Sequence, residues 1–201
     1  MLDRFAQRLL QPALRALAAG LVRAGAGADA VTLAGFGLGL AAAAAIASGH
    51  PLAGLALIAA SRLCDGLDGA VARLTQPTDR GAFLDIALDF LFYASIPLAF
   101  AWADPVRNAL PAAVLLASFI GTGSSFLAFA IVAEKRRLHS LAFPDKSFFF
   151  LGGLTEATET IAAFAAMCLW PQWFPQIAYG FAALCAITTA LRIGWGYTRF
   201  R

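Results

Sequence analysis

Three stretches without a charged residue govern what this chain can become: residues 30–49, 108–133 and 160–191. A helix needs roughly 20 apolar residues to cross a hydrocarbon core about 30 Å thick, and each stretch supplies at least that many. Charged residues make up only 13% of the 201-residue sequence, hydrophobic ones 60%, and the mean hydropathy is +0.73. That balance belongs to integral membrane proteins and departs from soluble domains, which run near a quarter charged. A cleavable amino-terminal signal is not expected, because Arg4, Arg8, Arg15 and Arg23 interrupt any short apolar core.

The third stretch is too long for one crossing. "WPQWFPQ" (170–176) divides it: Pro171 and Pro175 break a helix, and the tryptophans suit a membrane interface. Three further spans carry acids, at about 51–73, 81–103 and 147–169, the last with Glu156 and Glu159. The expected fold is therefore all-α: a polytopic membrane protein with six transmembrane helices in one domain, residues 25–201. Residues 1–24 form a separate juxtamembrane helix in this reading. Leu2, Phe5, Leu9, Leu10, Leu14, Leu17 and Leu21 recur at helical spacing, with Arg4, Gln7, Arg8, Gln11 and Arg15 largely opposite. Such a basic amphipathic helix lies on an anionic leaflet. An ordinary core-packed helix is the alternative.

Placing the basic residues orients the bundle. Of the 15 lysines and arginines, only Arg107 falls on the far side and only Arg62 inside a helix; the others gather on the side of both termini. Basic flanks stay cytoplasmic, so both termini are expected there. Cys64, Cys168 and Cys185 sit in apolar runs and read as buried small hydrophobes. His50 and His139 fall in loops facing solvent. Gly35 and Gly39 offer a small-residue packing face, common in membrane helices.

Against this background the acids of "SRLCDGLDGAVARLTQPTDRGAFLDIALDF" (61–90) are anomalous. Asp65 and Asp68 are three apart and share a helix face with Gly69 and Ala72; Asp85 and Asp89, four apart, share a face of the next helix. At 1.5 Å per residue, Asp65 and Asp89 each lie roughly 21 Å from the outer end of their helix, recessed about 9 Å from the cytoplasmic edge. Left unpaired, four such carboxylates would cost on the order of 10 kcal/mol gross. Arg62 and Arg73 could neutralise two of them in a purely structural network. Four carboxylates on facing stripes, beside an open wall at Gly66, Gly69 and Ala72, match a hard divalent cation better. Mg²⁺ and Mn²⁺ take oxygen ligands and favour sites shared with substrate phosphates.

The spacing Asp65-x2-Asp68-Gly69-x2-Ala72-Arg73-x7-Gly81-x3-Asp85-x3-Asp89 resembles the signature of the CDP-alcohol phosphatidyltransferases. The resemblance extends along the chain. "KSFFFLGGLTEATET" (146–160) and "FIGTGSSFLAFA" (119–130) look like a bacterial inner-membrane subgroup, the YnjF-like proteins.

Members transfer a phosphatidyl group from a CDP-linked lipid, such as CDP-diacylglycerol, to an alcohol and release CMP. The resemblance implies that Asp65, Asp68, Asp85 and Asp89 hold Mg²⁺ or Mn²⁺, two ions in all. It implies too that Asp89 is the general base for the acceptor hydroxyl. Thr32, Gly69, Ala72, Arg73 and Gly81 would serve the CDP-lipid, Gly69 and Ala72 by leaving it room and Arg73 at its phosphate end. The chain departs from the family at the first span, where "ADAVT" stands for Pro-Asn-x-x-Thr, with Ala28 and Asp29 in place of Pro and Asn. The resemblance further implies a homodimer in the inner membrane, with the active site facing the cytoplasm and no nucleic-acid partner.

For the acceptor the candidates are Arg80, Lys135, Arg136 and Glu156. Lys135, Arg136 and Arg137, followed by Lys146, form either an ordinary basic flank or an anion pocket for a phosphorylated alcohol such as glycerol phosphate or inositol phosphate. Glu156 and Glu159, three apart, read as sharing a face of the fifth span. There Glu156 either steadies the bundle against Arg62 or Lys146 or lines the acceptor side, with Gly152 and Gly153 as an entry path. Two rival readings remain at this level: a cation-coupled transporter using its intramembrane acids, and a catalytically silent scaffold. A transporter expects acids near the midplane with access to both faces, whereas these are recessed from one face.

Overall fold

The structure, a computed structural model, describes residues 2–136 and 154–200, with side chains from residue 11 onward. Seven α-helices are present among these residues and no strand: α1 (Leu2–Arg23), α2 (Ala28–Ala47), α3 (Pro51–Leu74), α4 (Asp79–Ala103), α5 (Pro105–Lys135), α6 (Ala157–Leu169) and α7 (Phe174–Arg199). Local chemistry explains their ends. Gly49, at φ +83°, takes the left-handed conformation that closes α2, and Pro51 opens α3 with its preset φ. Thr78 caps α4 by accepting from the Gly81 N–H at 3.0 Å, and Asp104 caps α5 by accepting from Arg107 N–H at 3.2 Å. The proline-tryptophan break forms a single 3-10 turn, Pro171–Trp173, between α6 and α7.

Four segments are long and apolar enough to cross a membrane: α2, α4, α5 and Pro171–Arg199. Helix α3 matches them in length, but its charge content separates it. Of the fifth expected span, 147–169, the described residues begin at 154 and are helical from Ala157; residues 137–153 lie outside the described part. Thirteen residues of α6 rise only about 20 Å, short of a full crossing. The protein is an all-α membrane protein.

One apolar cluster joins α2 to α7, with Ile46, Ile58, Phe92, Ile96, Leu115, Phe164, Met167 and Phe174 among its fully buried members. Aromatic edges knit it: the Phe164 ring lies 6.2 Å from Phe92 and 6.3 Å from Phe119 between centroids. Glycines allow α2 to sit close. A Cβ on Gly35 would stand 2.8 Å from Cys64 Cβ, and one on Gly39 would stand 2.6 Å from the Phe92 ring. Ser61 seals the same contact by donating to the Gly35 carbonyl at 2.7 Å.

Helix α1 lies against α3. Ala18 is fully buried on Ala70 and Val71, with Leu14, Leu21 and Val22 alongside, while Leu17 is exposed. It thus packs one stripe on the bundle and leaves another free. The side chains of residues 2–10, which carry half of its amphipathic pattern, lie outside the described ones.

Candidate functional site

Because α3 and α4 run antiparallel, the acids placed at equal depth meet. Carboxylate oxygens of Asp65, Asp85 and Asp89 all lie within 4.8 Å of one another. Three hard oxygen donors at that separation fit one divalent cation or a pair. Asp68 stands beside this group, lining the same narrow cleft, but its side chain turns to α2. Thr32 Oγ1 donates to Asp68 Oδ2 at 2.6 Å, and the Gly69 N–H donates to Oδ1 at 2.5 Å. With 6% of its surface exposed, Asp68 needs those donors. The Thr32 hydroxyl, expected to serve the CDP-lipid, sits on this carboxylate.

Arg62 enters the cluster from one turn earlier in α3. Its Nη1 lies 2.6 Å from Asp89 Oδ1 and 3.3 Å from Asp65 Oδ1. Its guanidinium carbon sits 4.0 Å from the centroid of the Phe92 ring, a cation–π stack. Arg73, in the last turn of α3, drapes over Gly69: a Cβ there would meet its Nη1 at 3.3 Å. Ala72, between them, is half-buried. Gly81 faces Asp29, whose Oδ1 would stand 3.3 Å from an added Cβ. Arg80 pairs with the same Asp29 at 2.5 Å, tying the start of α4 to the start of α2. The residue that departs from the signature at position 29 thus anchors Arg80.

A second, much larger space opens next to the acids. A cavity of about 680 Å³ lies among α4, α5, α6 and α7, and its walls are mostly apolar. Its polar groups include Asp89, Thr160, Glu156 and Arg192. Asp89 lines both the narrow cleft and this cavity. Glu156 is the N-cap of α6 and not a residue of its face: its backbone N–H donates to Glu159 Oε2 at 3.1 Å, one half of a capping box. Arg192 donates to the Thr122 carbonyl at 3.0 Å, and its buried Nε has no hydrogen-bond partner among the described residues.

Arg192 escapes sequence reasoning because it follows an uncharged run and reads as a basic flank. Its only signal is its place within the 26 residues of α7, short of the end at Arg199. Lys135 and Arg136 lie elsewhere. Gly123 packs against the Phe90 ring, level with Asp89, and Lys135 is 12 residues farther along α5, roughly 18 Å. Arg136 donates to the Phe200 carbonyl at 2.5 Å, fastening the end of α7. Arg137, His139, Lys146, Gly152 and Gly153 fall outside the described residues.

The sequence pattern of CDP-alcohol phosphatidyltransferases matches residues 26–192, which contain every acid of the cleft and Arg192. The chain belongs to this family. Family membership makes it a transferase of phospholipid synthesis. It is 49% identical over 197 residues to the inner membrane protein YnjF of Escherichia coli, covering 98% of this chain and 96% of that one. Over 65 residues, 32% of this chain and 33% of the relative, it is 51% identical to archaetidylinositol phosphate synthase of Methanothermobacter thermautotrophicus. The fold is shared with phosphatidylinositol phosphate synthase of Mycobacterium tuberculosis. The structure of that enzyme with CDP-DAG bound has a TM-score of 0.74 at 24% identity and covers 92% of this chain and 94% of that one. Its complex with manganese and citrate gives 0.74 at 23%, covering 92% and 89%.

Proposed function

We propose that this family member transfers a phosphatidyl group from CDP-diacylglycerol to a phosphorylated small alcohol, releasing CMP on the cytoplasmic side of the inner membrane. The observation that carries this reading is the double placement of Asp89, whose carboxylate borders both the acidic cleft and the large cavity. A general base for the transfer must lie within hydrogen-bond reach of the acceptor hydroxyl while that hydroxyl faces the activated phosphorus. In this reaction Asp89 takes the hydroxyl proton and the alcohol oxygen bonds to the phosphorus that bears diacylglycerol. The bond from that phosphorus to the bridging oxygen breaks, and CMP leaves with the electron pair.

Asp65, Asp85 and Asp89 would hold the divalent cations, Mg²⁺ or Mn²⁺, with Asp68 completing the set. Such ions supply positive charge against a diphosphate. Manganese in the mycobacterial relative supports that assignment. CDP-DAG bound to the same relative supports the donor. On the donor side, Gly69 and Ala72 keep the wall of α3 low, Arg73 stands over it, and Gly81 keeps the opening of α4 free of a side chain. Thr32 acts through Asp68.

Arg192 argues for the acceptor class. A guanidinium with an unmatched buried N–H at the wall of a cavity favours an anion, and arginine grips phosphate oxygens with parallel donors. The relatives that make inositol phosphate lipids are consistent with that preference. Glu156, on the same wall, would accept from hydroxyls of the alcohol. Arg80 is assigned to anchoring Asp29, and Lys135 and Arg136 to the cytoplasmic flank. Six crossings, a juxtamembrane helix over 1–24, a transferase domain over 25–201 and a homodimer complete the proposal.

The test is a transfer assay with labelled CDP-diacylglycerol in vesicles, Mg²⁺ or Mn²⁺, and paired alcohols with and without a phosphate. CMP and a lipid product should form with inositol phosphate or glycerol phosphate and stop in excess EDTA. CMP release supported only by unphosphorylated alcohols would overturn the acceptor class; full activity in EDTA would overturn the metal assignment.

A further inference from the structure

Arg62 has no place in the transfer as derived above, yet it sits in the middle of the acids. Its Nη1 approaches Asp89 at 2.6 Å and Asp65 at 3.3 Å, two of the three residues whose oxygens cluster. Its other terminal nitrogen donates to Ser61 Oγ at 3.3 Å, and its plane rests on the fully buried Phe92. A guanidinium at this depth is costly unless paired, so Arg62 and the acids stabilise each other. The same carboxylates are those a divalent ion would use. Two cations drawing on the same carboxylates repel each other, and the repulsion is strong where water is scarce. The Tyr93 ring, its centroid 5.8 Å from the guanidinium carbon, offers a second aromatic seat on α4.

We propose that Arg62 is an internal rival of the divalent cation. It holds Asp65 and Asp89 in register when no ion is bound, and yields the Asp89 oxygen when one enters. Arg62 is thus a positioning residue that sets the ion concentration at which the cleft assembles and Asp89 becomes free to accept a proton. The proposal rests on Asp65, Asp85 and Asp89 being metal ligands. Because the ion binds only the fraction of molecules in which Arg62 has withdrawn, the apparent dissociation constant is raised by the inverse of that fraction.

The experiment is a Mn²⁺ titration of the purified full chain without substrates, reading free Mn²⁺ by electron paramagnetic resonance. Arg62→Gln should bind Mn²⁺ at least about tenfold more tightly than wild type, the factor for a competent fraction near one tenth. Its melting temperature should fall in EDTA and rise more steeply with Mn²⁺ than that of wild type. Arg62→Lys, which keeps the charge, should return the constant toward wild type. A measurement on the unaltered chain covers the case in which the glutamine variant does not fold. Phenylglyoxal labelling of Arg62, read by mass spectrometry, should rise when Mn²⁺ is added. Equal or weaker Mn²⁺ binding by Arg62→Gln, or labelling unchanged by Mn²⁺, overturns the proposal alone. A wild-type chain that binds no Mn²⁺ overturns the metal assignment and the proposal together.

Discussion

Two side chains at the cavity wall divide the proposed chemistry between them. Asp89 touches both the acidic cleft and the large cavity proposed to take the alcohol, while Arg192 stands with Glu156 on the wall of that cavity. Asp89→Asn keeps the shape and removes the base. Transfer should fall by about 10²-fold or more, the usual contribution of general base catalysis, while CDP binding by calorimetry stays within a few-fold. A variant retaining more than about a tenth of kcat would assign the proton to another group. Arg192→Gln should raise KM for a phosphorylated acceptor by at least about tenfold, as for one lost charge-assisted hydrogen bond, with the donor constant unmoved. Steady-state kinetics with both substrates varied separates these outcomes. Thr32 illustrates a subtler role: lining the cleft, its hydroxyl satisfies a nearly buried carboxylate and so fixes the direction of Asp68.

At the scale of helices, the site depends on how closely α2 approaches α3 and α4. Gly39 faces the Phe92 ring, and that ring carries Arg62. Gly39→Ala would place a Cβ 2.6 Å from a ring atom of Phe92. Overpacking of this kind costs about 1–3 kcal/mol, so the variant should melt several degrees lower in detergent. Gly180→Ala is the control, since nothing lies within 4 Å of its added Cβ, and its melting point should match wild type. A melting point for Gly39→Ala equal to that of Gly180→Ala would show that α2 can withdraw freely. The short α6 plays a different part. Starting at Glu156 inside the bundle, it brings a capped helix end to the cavity wall, where a longer helix would have presented side chains alone.

For the whole molecule, charge distribution sets orientation. The first turn of α5 carries Arg107 and the almost fully exposed Val106, at 97%, while Lys135, Arg136 and Arg199 gather at the other end. In a background with Cys64, Cys168 and Cys185 replaced, Val106→Cys should react with a membrane-impermeant maleimide added to the periplasmic side of intact cells. Cysteine at Thr198 should react only after the membrane is opened. The opposite pattern would invert the bundle and place the acids nearer the outer face.

Much of this arrangement is written in local spacing. Charge-free runs of about 20 residues mark crossings, proline and glycine mark their ends, and intervals of three and four put Asp65 with Asp68 and Asp85 with Asp89 at matching depths. These are properties of one helix at a time, and the short α3–α4 connection leaves its neighbours little choice but to lie antiparallel. What tertiary structure alone decided is where each side chain turns once several helices compete for it. Asp68 turns, within the cleft, to a threonine 36 positions earlier, Arg62 chooses Asp89 across 27 residues, and Arg192 reaches a carbonyl 70 residues away. Glu156 caps a helix that spacing would have begun earlier. Helical periodicity specifies a face and a depth but not the partner opposite, because rotation and tilt follow from packing among helices far apart in the chain.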